Sequence, residues 1–307
     1  MTQTASPRRG AQHPLDAAKT AEAESPAHPK ISLCVPAYQA ERHLRSTIES
    51  LLGQKYHDFE LVIVDNNSSD STPEVLKDFD DSRIRVIRNE STLPLVDNFN
   101  LAVQQCRGEF VKLVCADDIL YPECIAAQSA ILERNPDIAL VSVQTDFVDD
   151  DGALLRPARG LRGIVGRRQS VHVVRQTIRS GTNPIGAPVA AMFRRQDFIT
   201  AGGFRDELLF LSDADLWVRL LQHGEFYGIP RTLASFRFGS SSVSATMAAR
   251  SQLAQHKEFS RTLSAQQFWG ITRLDRVIGW VNTYDMQLRR TVLFGISKWR
   301  DARRRTP

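Results

Sequence analysis

Residues 110–118 read FVKLVCADD, an apolar run that ends in two adjacent aspartates. Such a run predicts a strand buried on both faces, as in the parallel sheets of α/β proteins. In open α/β sheets ligands bind beyond the carboxyl ends of the strands, where Asp117 and Asp118 would lie. Neighbouring carboxylates repel each other unless a cation joins them, and Mg²⁺-type ions take one or two carboxylates together with substrate phosphates. The stretch predicts a metal site for a phosphate-bearing ligand; the alternative is an aspartate turn before a helix with Pro122 at its first position.

The composition is that of a globular protein that can bury a large core. The chain has 307 residues, of which 42% are hydrophobic and 24% charged, and its formal net charge is +4. These values predict one large domain, or a domain with an appendage. Basic residues crowd the last turns of the chain. That cluster is typical of a solvated tail, although an anionic lipid surface would also attract it; we expect no nucleic-acid partner.

The four cysteines indicate a reducing compartment. Cys34, Cys106, Cys115 and Cys124 lie in or beside apolar segments and form no Cys-x-x-Cys pair. They predict buried thiols, and neither a disulfide framework nor a zinc site. No apolar stretch approaches the roughly 18 residues needed to span a bilayer, and the N-terminus lacks the apolar core of a signal peptide. We therefore expect a cytoplasmic protein.

Alternating strand and helix patterns organise the first half of the chain. Residues 1–29 are rich in Ala, Pro, Ser and charge, which predicts a disordered tail. Helical periodicity separates five predicted strands, at residues 31–35, 61–64, 84–87, 109–115 and 138–143. The alternation predicts parallel βαβ units with right-handed crossovers. An acidic turn at residues 149–152 predicts a hairpin tip where this half ends.

The second half is less regular. Residues 156–180 predict a mobile connection or a helix over the cleft, and a helix is predicted to start near Ser212. Residues 226–229 predict a short strand. Beyond Ala248 the chain is predicted to be mostly helical, with apolar residues dense enough to dock on the body or to lie on a membrane surface.

Carboxylates stand at three predicted element ends. Asp65 follows the second strand, Asp117 and Asp118 follow a later one, and Asp213 opens a helix together with Asp215. Each has a structural alternative, since Asp65 could cap a turn and Asp213 a helix. Because parallel strands end at one edge of the sheet, we expect the first two positions to share a crevice that the third approaches. The set would hold a metal diphosphate and supply a base.

Several short motifs occur in a fixed order along the chain: VPAYQ at 35–39, VDNNS at 64–68, GEF at 108–110, ADD at 116–118, GGF at 202–204 and SDADLW at 212–217. Together they resemble the signature of family 2 glycosyltransferases of the GT-A fold, over roughly residues 31–243. The resemblance implies an α/β fold with a Rossmann-like, mostly parallel sheet flanked by helices. It implies a catalytic domain at residues 30–245, with a nucleotide-binding half (30–150) and an acceptor half (151–245). Residues 246–307 would form a C-terminal helical extension with a basic tail.

The resemblance also implies roles for single residues. Pro36, Ala37 and Tyr38 would line the nucleotide pocket, and Asp65 would accept a hydrogen bond from a uracil or thymine base. Asp117 would contact the ribose or a metal-bound water. The residue implied to ligate the Mn²⁺ or Mg²⁺ that bridges the diphosphate is Asp118. Asp213 would be the general base.

Those roles agree with the chemistry of sugar transfer. A metal ion neutralises the departing diphosphate as a Lewis acid, and the anomeric carbon acquires oxocarbenium character. A base within hydrogen-bond reach takes the proton of the incoming hydroxyl. Attack opposite the leaving group inverts the anomeric centre, so no covalent intermediate is needed.

The chain departs from the family pattern at two places. Many relatives are acidic where this chain has Cys115 or Ala116, and relatives often carry a His near the position of Gly239, after Phe236-Arg237-Phe238. Arg237 is a candidate for contacting the diphosphate instead. Further candidates for diphosphate or acceptor contacts are Asn100, which matches an Asn often found in the family, and Trp217, for which core packing is the alternative.

We therefore expect an inverting, metal-dependent enzyme that moves a sugar from a UDP- or dTDP-linked donor to an acceptor hydroxyl. The acceptor would be a glycan, a glycolipid or a small molecule, in the synthesis of surface polysaccharide or another glycoconjugate. The Gln-x-x-Arg-Trp signature of processive relatives is absent from the sequence, which favours single additions. The alternatives are a catalytically silent sugar-nucleotide-binding protein and a nucleotidyltransferase. Peripheral membrane contact through the C-terminal helix is a further expectation.

Overall fold

The computed structural model describes residues 29–239 and 247–304. The predicted tail therefore lies outside the described residues, apart from Pro29. The strands are β1 Ile31–Ala37, β2 Phe59–Asp65, β3 Ile84–Arg88, β4 Phe110–Leu113, β5 Ile119–Leu120, β6 Ile138–Val148, β7 Leu154–Arg159, β8 Gly166–Arg168, β9 Ala191–Arg194 and β10 Glu225–Arg237. The helices are α1 Leu44–Leu52, α2 Thr72–Lys77, α3 Leu95–Gln104, α4 Cys124–Arg134, α5 Ser170–Ser180, α6 Arg195–Ala201, α7 Ser212–Leu220, α8 Ala249–Ala265 and α9 Arg273–Arg304. Short 3-10 turns occupy Pro188–Ala190, Leu209–Leu211 and Gln267–Trp269.

All the strands belong to one sheet with the order β3-β2-β1-β4-β9-β6-β10-β5, to which β7 adds on β6 and β8 on β10. Strands β3, β2, β1 and β4 are parallel neighbours, and β10 runs parallel to β6. Strand β9 lies antiparallel between β4 and β6. The α/β class is confirmed, and the sheet is mixed because β9 enters it from the second half of the chain.

Helices cover both faces of the sheet, so the central strands are apolar on both sides. Leu33 of β1 packs with Leu44 and Ile48 of α1, whereas the next residue, Cys34, packs with Ala102 of α3 on the opposite face. Successive side chains of a strand point to opposite faces, which explains why β1, β2 and β4 read as continuous apolar runs. Each buried aliphatic side chain contributes about 1.5–3 kcal/mol. The predicted strands at these places are confirmed.

Two predictions for the second half need correction. The strand predicted at residues 226–229 extends over 13 residues, as β10. Pro230 lies in it, and a register shift between Ile229 and Thr232 places the proline at an irregularity of the kind where strands tolerate proline. Of the two alternatives predicted for residues 156–180, the helix is present as α5, but the segment also contains the end of β7 and all of β8, which the sequence did not predict. The hairpin tip at residues 149–152 is confirmed by the pairing of β6 with β7.

The C-terminal helices pack on the body of the protein. Helix α9 contacts α5, and α8 contacts the turn at Leu209–Leu211. Among the helices that the structure describes, none combines the length and the apolar character needed to cross a bilayer. Cys34, Cys106 and Cys124 are buried and Cys115 is half-buried, all as free thiols.

Candidate active site

The carboxyl ends of β2, β1 and β4 meet at one edge of the sheet, as the sequence predicts. The Asn66 N–H that follows β2 donates to the Ala37 carbonyl at the end of β1, at 2.8 Å. The Val114 N–H that follows β4 donates to the Cys34 carbonyl of β1, at 2.9 Å. Asp65 and the Asp117-Asp118 pair are therefore carried to the same edge by neighbouring parallel strands.

Asp118 is a buried carboxylate with one oxygen unsatisfied. Its side chain is 1% exposed, and its Oδ1 accepts the backbone N–H of Arg237 at 3.0 Å. Its Oδ2 is buried and has no hydrogen-bond partner among the described residues. Burial, followed by the charge of Asp117, raises the pKa of Asp118 well above its ordinary value. A carboxylate in this state is stabilised by a cation, so the geometry favours a metal position over a simple turn.

Arg237 connects the aspartate pair to the β6–β7 hairpin. Its Nε donates to the Asp117 carbonyl at 2.9 Å, and its Nη1 donates to the carbonyls of Asp149 and Asp150, both at 2.9 Å. The residue is 7% exposed. Because these hydrogen bonds occupy most of the guanidinium, Arg237 stabilises the turn that carries Asp118. We predicted a diphosphate contact for this residue, and its Nε and Nη1 are instead committed to the protein backbone.

Asp65 is also buried, and it pairs with a residue that the sequence interpretation missed. Its Oδ1 accepts the Ser68 N–H at 3.0 Å, and its Oδ2 accepts Arg88 Nη1 at 2.5 Å. Arg88 ends β3, the strand next to β2, and its side chain is 47% exposed. The sequence offered one signal for this pair, because Arg88 is a basic residue at the end of the strand next to β2. Arg88 thus extends from Asp65 toward solvent at the edge where a nucleotide is expected.

Asp213 lies in the first turn of α7 and is half-buried. Its Oδ1 accepts the Ala214 N–H at 2.7 Å, and Asn183 contributes a side-chain hydrogen bond. Burial nevertheless raises the pKa of Asp213 to about 6. None of the ion pairs in the described parts of the chain involves Asp213, whereas Asp215 is held by Arg219 at 2.7 Å. Of the two aspartates that open α7, Asp213 is therefore the one suited to exchange a proton. Sequence reasoning did not single out Asn183.

Asp213 opens into a cavity of about 360 Å³. Its walls include the aromatic rings of Phe147, Phe236 and Phe238, and α9 closes one side with Asn282, Asp285, Met286 and Arg289. Phe236 precedes Arg237 on β10 and Phe238 follows the strand, so the end of β10 serves both the cavity and the turn that carries Asp118.

The Cys115 thiol lies within the electrostatic influence of both the Asp117-Asp118 turn and Asp213. Burial raises its pKa well above the ordinary value, and the charges of Asp118, Asp117 and Asp213 raise it further. All three carboxylates therefore lie within electrostatic range of one atom. This shared influence on Cys115 relates the Asp117-Asp118 pair to Asp213.

Other predicted site residues have different surroundings. Pro36 and Ala37 are buried within β1, so Tyr38, at 52% exposure, is the residue of the three with an open side chain. Trp217 is completely buried, and its Nε1 donates to the Gly186 carbonyl. The acceptor contact proposed for Trp217 is therefore wrong, because its ring belongs to the core.

The Asn100 side chain hydrogen-bonds to the Gly-Gly-Phe turn at residues 202–204. Its Oδ1 accepts the Phe204 N–H at 2.7 Å, and its Nδ2 donates to the Phe204 carbonyl at 3.0 Å. Both ends of the amide are thus used by one residue of the backbone. The predicted diphosphate or acceptor contact of Asn100 is corrected to this positioning role.

The turn offers a matched pair of glycines. Gly203 has φ of +70°, and a Cβ there would lie 2.6 Å from Asn100 Oδ1. Gly202 has φ of +78° with open space around it. We expect Gly203→Ala to lose about 2 kcal/mol more unfolding free energy than Gly202→Ala, because both pay the left-handed backbone cost but only the first displaces the amide. Urea denaturation of both variants measures the difference. Equal losses would mean that the Asn100 bonds contribute nothing.

The residues present fit a divalent cation that brings further ligands with it. The described residues contain no group of three or more His, Cys, Asp or Glu that could hold a metal ion alone. They do offer the unsatisfied Asp118 oxygen, with Asp117 beside it. Mg²⁺-type ions are commonly bound by one or two carboxylates plus substrate phosphates and water. The donor set therefore suits an ion that arrives with a diphosphate.

Comparison with known proteins points to one family. The family model "Glycosyl transferase family 2" matches residues 32–201. An uncharacterised protein of Mycobacterium tuberculosis is 32% identical over 216 residues, which cover 68% of this chain and 67% of the relative. The Escherichia coli UDP-Glc:alpha-D-GlcNAc-diphosphoundecaprenol beta-1,3-glucosyltransferase WfgD is 31% identical over 105 residues, which cover 34% of this chain and 42% of WfgD.

Solved structures with low sequence identity share the fold. Staphylococcus aureus TarS 1–349 in complex with UDP-GlcNAc superposes with a TM-score of 0.61 at 17% identity, over 75% of this chain and 65% of TarS 1–349. The mannosyltransferase PcManGT of Pyrobaculum calidifontis, in complex with GDP-Man and Mn²⁺, gives a TM-score of 0.52 at 16% identity, over 83% of this chain and 74% of that structure. At these identities the likeness establishes the architecture alone.

Proposed function

The chain belongs to glycosyl transferase family 2, and we propose that it transfers a sugar from a nucleotide-diphosphate donor to an acceptor hydroxyl with inversion. The observation that carries the proposal is the presence of two complementary carboxylates whose charges both act on the Cys115 thiol: a buried Asp118 with an unsatisfied oxygen, and a half-buried Asp213 that lines a cavity and whose pKa is raised to about 6. The first suits the departing diphosphate, and the second suits the incoming hydroxyl. Structures of similar fold that hold UDP-GlcNAc or GDP-Man support the donor class.

In this mechanism Asp213 accepts the proton of the acceptor hydroxyl as the oxygen attacks the anomeric carbon. Its raised pKa brings it close to the operating pH, where a base balances deprotonation against basicity. Asn183 and the Ala214 N–H orient the carboxylate. Such a base typically accelerates the reaction by about 10²–10⁴.

On the donor side, Asp118 and Asp117 would hold Mn²⁺ or Mg²⁺, which as a Lewis acid supplies charge neutralisation of the leaving diphosphate. The Mn²⁺ complex of PcManGT supports a divalent ion in this fold. Arg237 keeps the aspartate turn in place through three backbone carbonyls. Tyr38 and Asp65 with Arg88 would form the nucleotide end, with UDP or dTDP favoured.

On the acceptor side we propose a glycan or glycolipid. The cavity beside Asp213 combines four phenylalanine rings with arginine and amide side chains, which suits a sugar attached to an apolar carrier. WfgD, whose name specifies a diphosphoundecaprenol-linked acceptor, supports this class. A lipid-carried acceptor would bring the enzyme to a membrane, so peripheral contact through the C-terminal helix and a cytoplasmic location remain part of the proposal.

A ligand screen tests the proposal. The protein is titrated with UDP-, dTDP- and GDP-sugars, with and without Mn²⁺, while its melting temperature and the release of nucleotide diphosphate are followed. A donor that binds only the folded state raises the melting temperature. We expect one donor class to do so in the presence of Mn²⁺ and to be turned over slowly. Stabilisation without turnover would favour a silent binding protein. Release of pyrophosphate from a nucleoside triphosphate and a sugar 1-phosphate, supplied in a separate assay, would favour a nucleotidyltransferase.

The transfer rate should depend on pH through Asp213. Because its pKa is raised to about 6, the base is protonated and inactive below that pH and ionised above it. We expect kcat at saturating donor and Mn²⁺ to rise with pH and to be about tenfold lower at pH 5 than at pH 8. A pH–rate profile measures this. A flat profile across this range would contradict the assignment of Asp213 as the base.

A further inference from the structure

Helix α9 turns a polar face toward the body of the protein. Asp275, Gly279 and Thr283, spaced four residues apart, are all buried. Asp275 is 2% exposed and accepts Arg175 at 3.1 Å. Gly279 lies so close to α5 that a Cβ would stand 2.3 Å from the Ile178 carbonyl oxygen. The ion pair and this close approach fix the rotation of the helix.

The opposite face of α9 is apolar and exposed. Its side chains are between 58% and 67% exposed and follow one another at intervals of three and four residues: Leu274, Val277, Val281, Tyr284 and Leu288. Phe268, in the turn before the helix, is 64% exposed. Single exposed apolar residues are ordinary, but a continuous row of them marks an interaction surface. An amphipathic helix with its apolar side outward needs something to cover that side.

Cations lie beside this row. A groove of about 420 Å³ between α8 and α9 is lined by Lys257, Arg261, Arg273 and Arg276, and it includes Val277 of the row. Arg261 pairs with Glu258. In the parts of the chain that the structure describes, none of the ion pairs involves Lys257, Arg273 or Arg276. The apolar row and three unneutralised cations therefore share one side of the C-terminal helices.

We propose that this side of the protein, the exposed row of α9 with its flanking cations, docks on an anionic phospholipid surface. Apolar residues that enter the headgroup boundary together with Lys and Arg beside them are the features that hold amphipathic helices at such surfaces. The three-four spacing would also suit a helix of a second copy. Two copies that joined by this side would bring their cations together, which an anionic bilayer would instead neutralise.

The docking surface lies on the helix that closes the cavity at Asp213. Asn282, Asp285, Met286 and Arg289 of α9 line that cavity, while the row projects from the adjacent face of the same turns. Docking would therefore place the cavity beside the membrane, where a lipid-carried acceptor is found. This last consequence, unlike the docking itself, depends on the proposed function.

Vesicle sedimentation of the full chain tests the docking. The probes are phosphatidylcholine vesicles with and without about one-third phosphatidylglycerol. We expect binding to the anionic vesicles, at least about tenfold weaker binding to phosphatidylcholine alone, and release at high salt. Val277→Glu with Val281→Glu should abolish binding. Gln196→Glu with Thr200→Glu, the same charge change at exposed positions of α6, should leave it intact.

The folding of each variant is checked by its melting temperature. A second variant combines Lys257→Gln, Arg273→Gln and Arg276→Gln, and we expect it to bind the anionic vesicles at least about tenfold more weakly than the wild type. Wild-type protein that stays in the supernatant at every lipid concentration would overturn the docking, as would unchanged binding of the double Glu variant. Light scattering that shows a dimer which the double Glu variant breaks would assign the row to a second copy. Vesicle binding without donor turnover would leave the docking standing and the proposed function in error.

Discussion

Replacing Asp213 with asparagine should lower kcat for sugar transfer by about 10²–10⁴ while leaving donor binding unchanged. The substitution keeps the shape of the side chain and an oxygen to accept the Ala214 N–H. It removes the one property that the mechanism requires, a lone pair basic enough to take a proton near pH 6. Donor affinity should persist because Asp118 and the nucleotide end are untouched. Single-turnover transfer and a donor-induced melting shift, measured on the same sample, separate the two effects.

Asp215→Asn is the matched control for that variant. It makes the same chemical change two residues further along α7, but Asp215 holds Arg219 and does not line the cavity. We expect this control to lose stability, by about 1–3 kcal/mol, and to retain most of its activity. Transfer at the native rate by Asp213→Asn, or an equal fall in both variants, would show that the base has been misassigned.

Asp118→Asn should abolish the Mn²⁺-dependent part of donor binding and lower transfer by about 10³ or more. Asparagine can still accept the Arg237 N–H through its oxygen, so the turn should keep its shape. The amide cannot supply the anionic oxygen that is buried and unsatisfied in the wild type. Isothermal titration of donor with and without Mn²⁺ measures the loss.

The same variant should be more stable than the wild type when metal is absent. Burial raises the pKa of Asp118, so the wild type loses stability as pH rises from the ordinary aspartate range through the raised pKa, and the variant does not. We expect its melting temperature to exceed that of the wild type at pH 8 and to match it at pH 4. The control variant is Asp197→Asn, since Asp197 is a half-buried carboxyl whose pKa is also raised. It should keep the Mn²⁺-dependent part of donor binding. Full Mn²⁺-dependent binding by Asp118→Asn would place the metal elsewhere.

The sequence predicted the elements whose pattern is local. Continuous apolar runs marked β1, β2 and β4, and the polar residues after them marked the edge where Asp65 and Asp118 lie. Burial by the surrounding layers then explains the raised pKa of Asp118, which no local pattern could quantify.

The corrections concern contacts made across long stretches of chain. For Trp217 the sequence allowed both core packing and an acceptor contact, and the core is correct because its partner Gly186 and the rings around it come from other elements. Asn100 is occupied by Phe204, 104 residues away. Arg88 and Asn183 were missed because their roles depend on which strand or turn lies beside an aspartate. Neighbours of this kind follow from topology and not from spacing.

The path of the chain through the sheet limits how this enzyme could be divided or recombined. Strand β9, from the second half, sits between β4 and β6 of the first half, and β10 completes the sheet on the far side of β6. A polypeptide that stopped near residue 150 would have a gap between β4 and β6 and would lack Arg237, whose bonds span 87 to 120 positions. The two halves of the chain are therefore not separable units, and hybrids between relatives would have to keep β9, β10 and the aspartate turn from one parent.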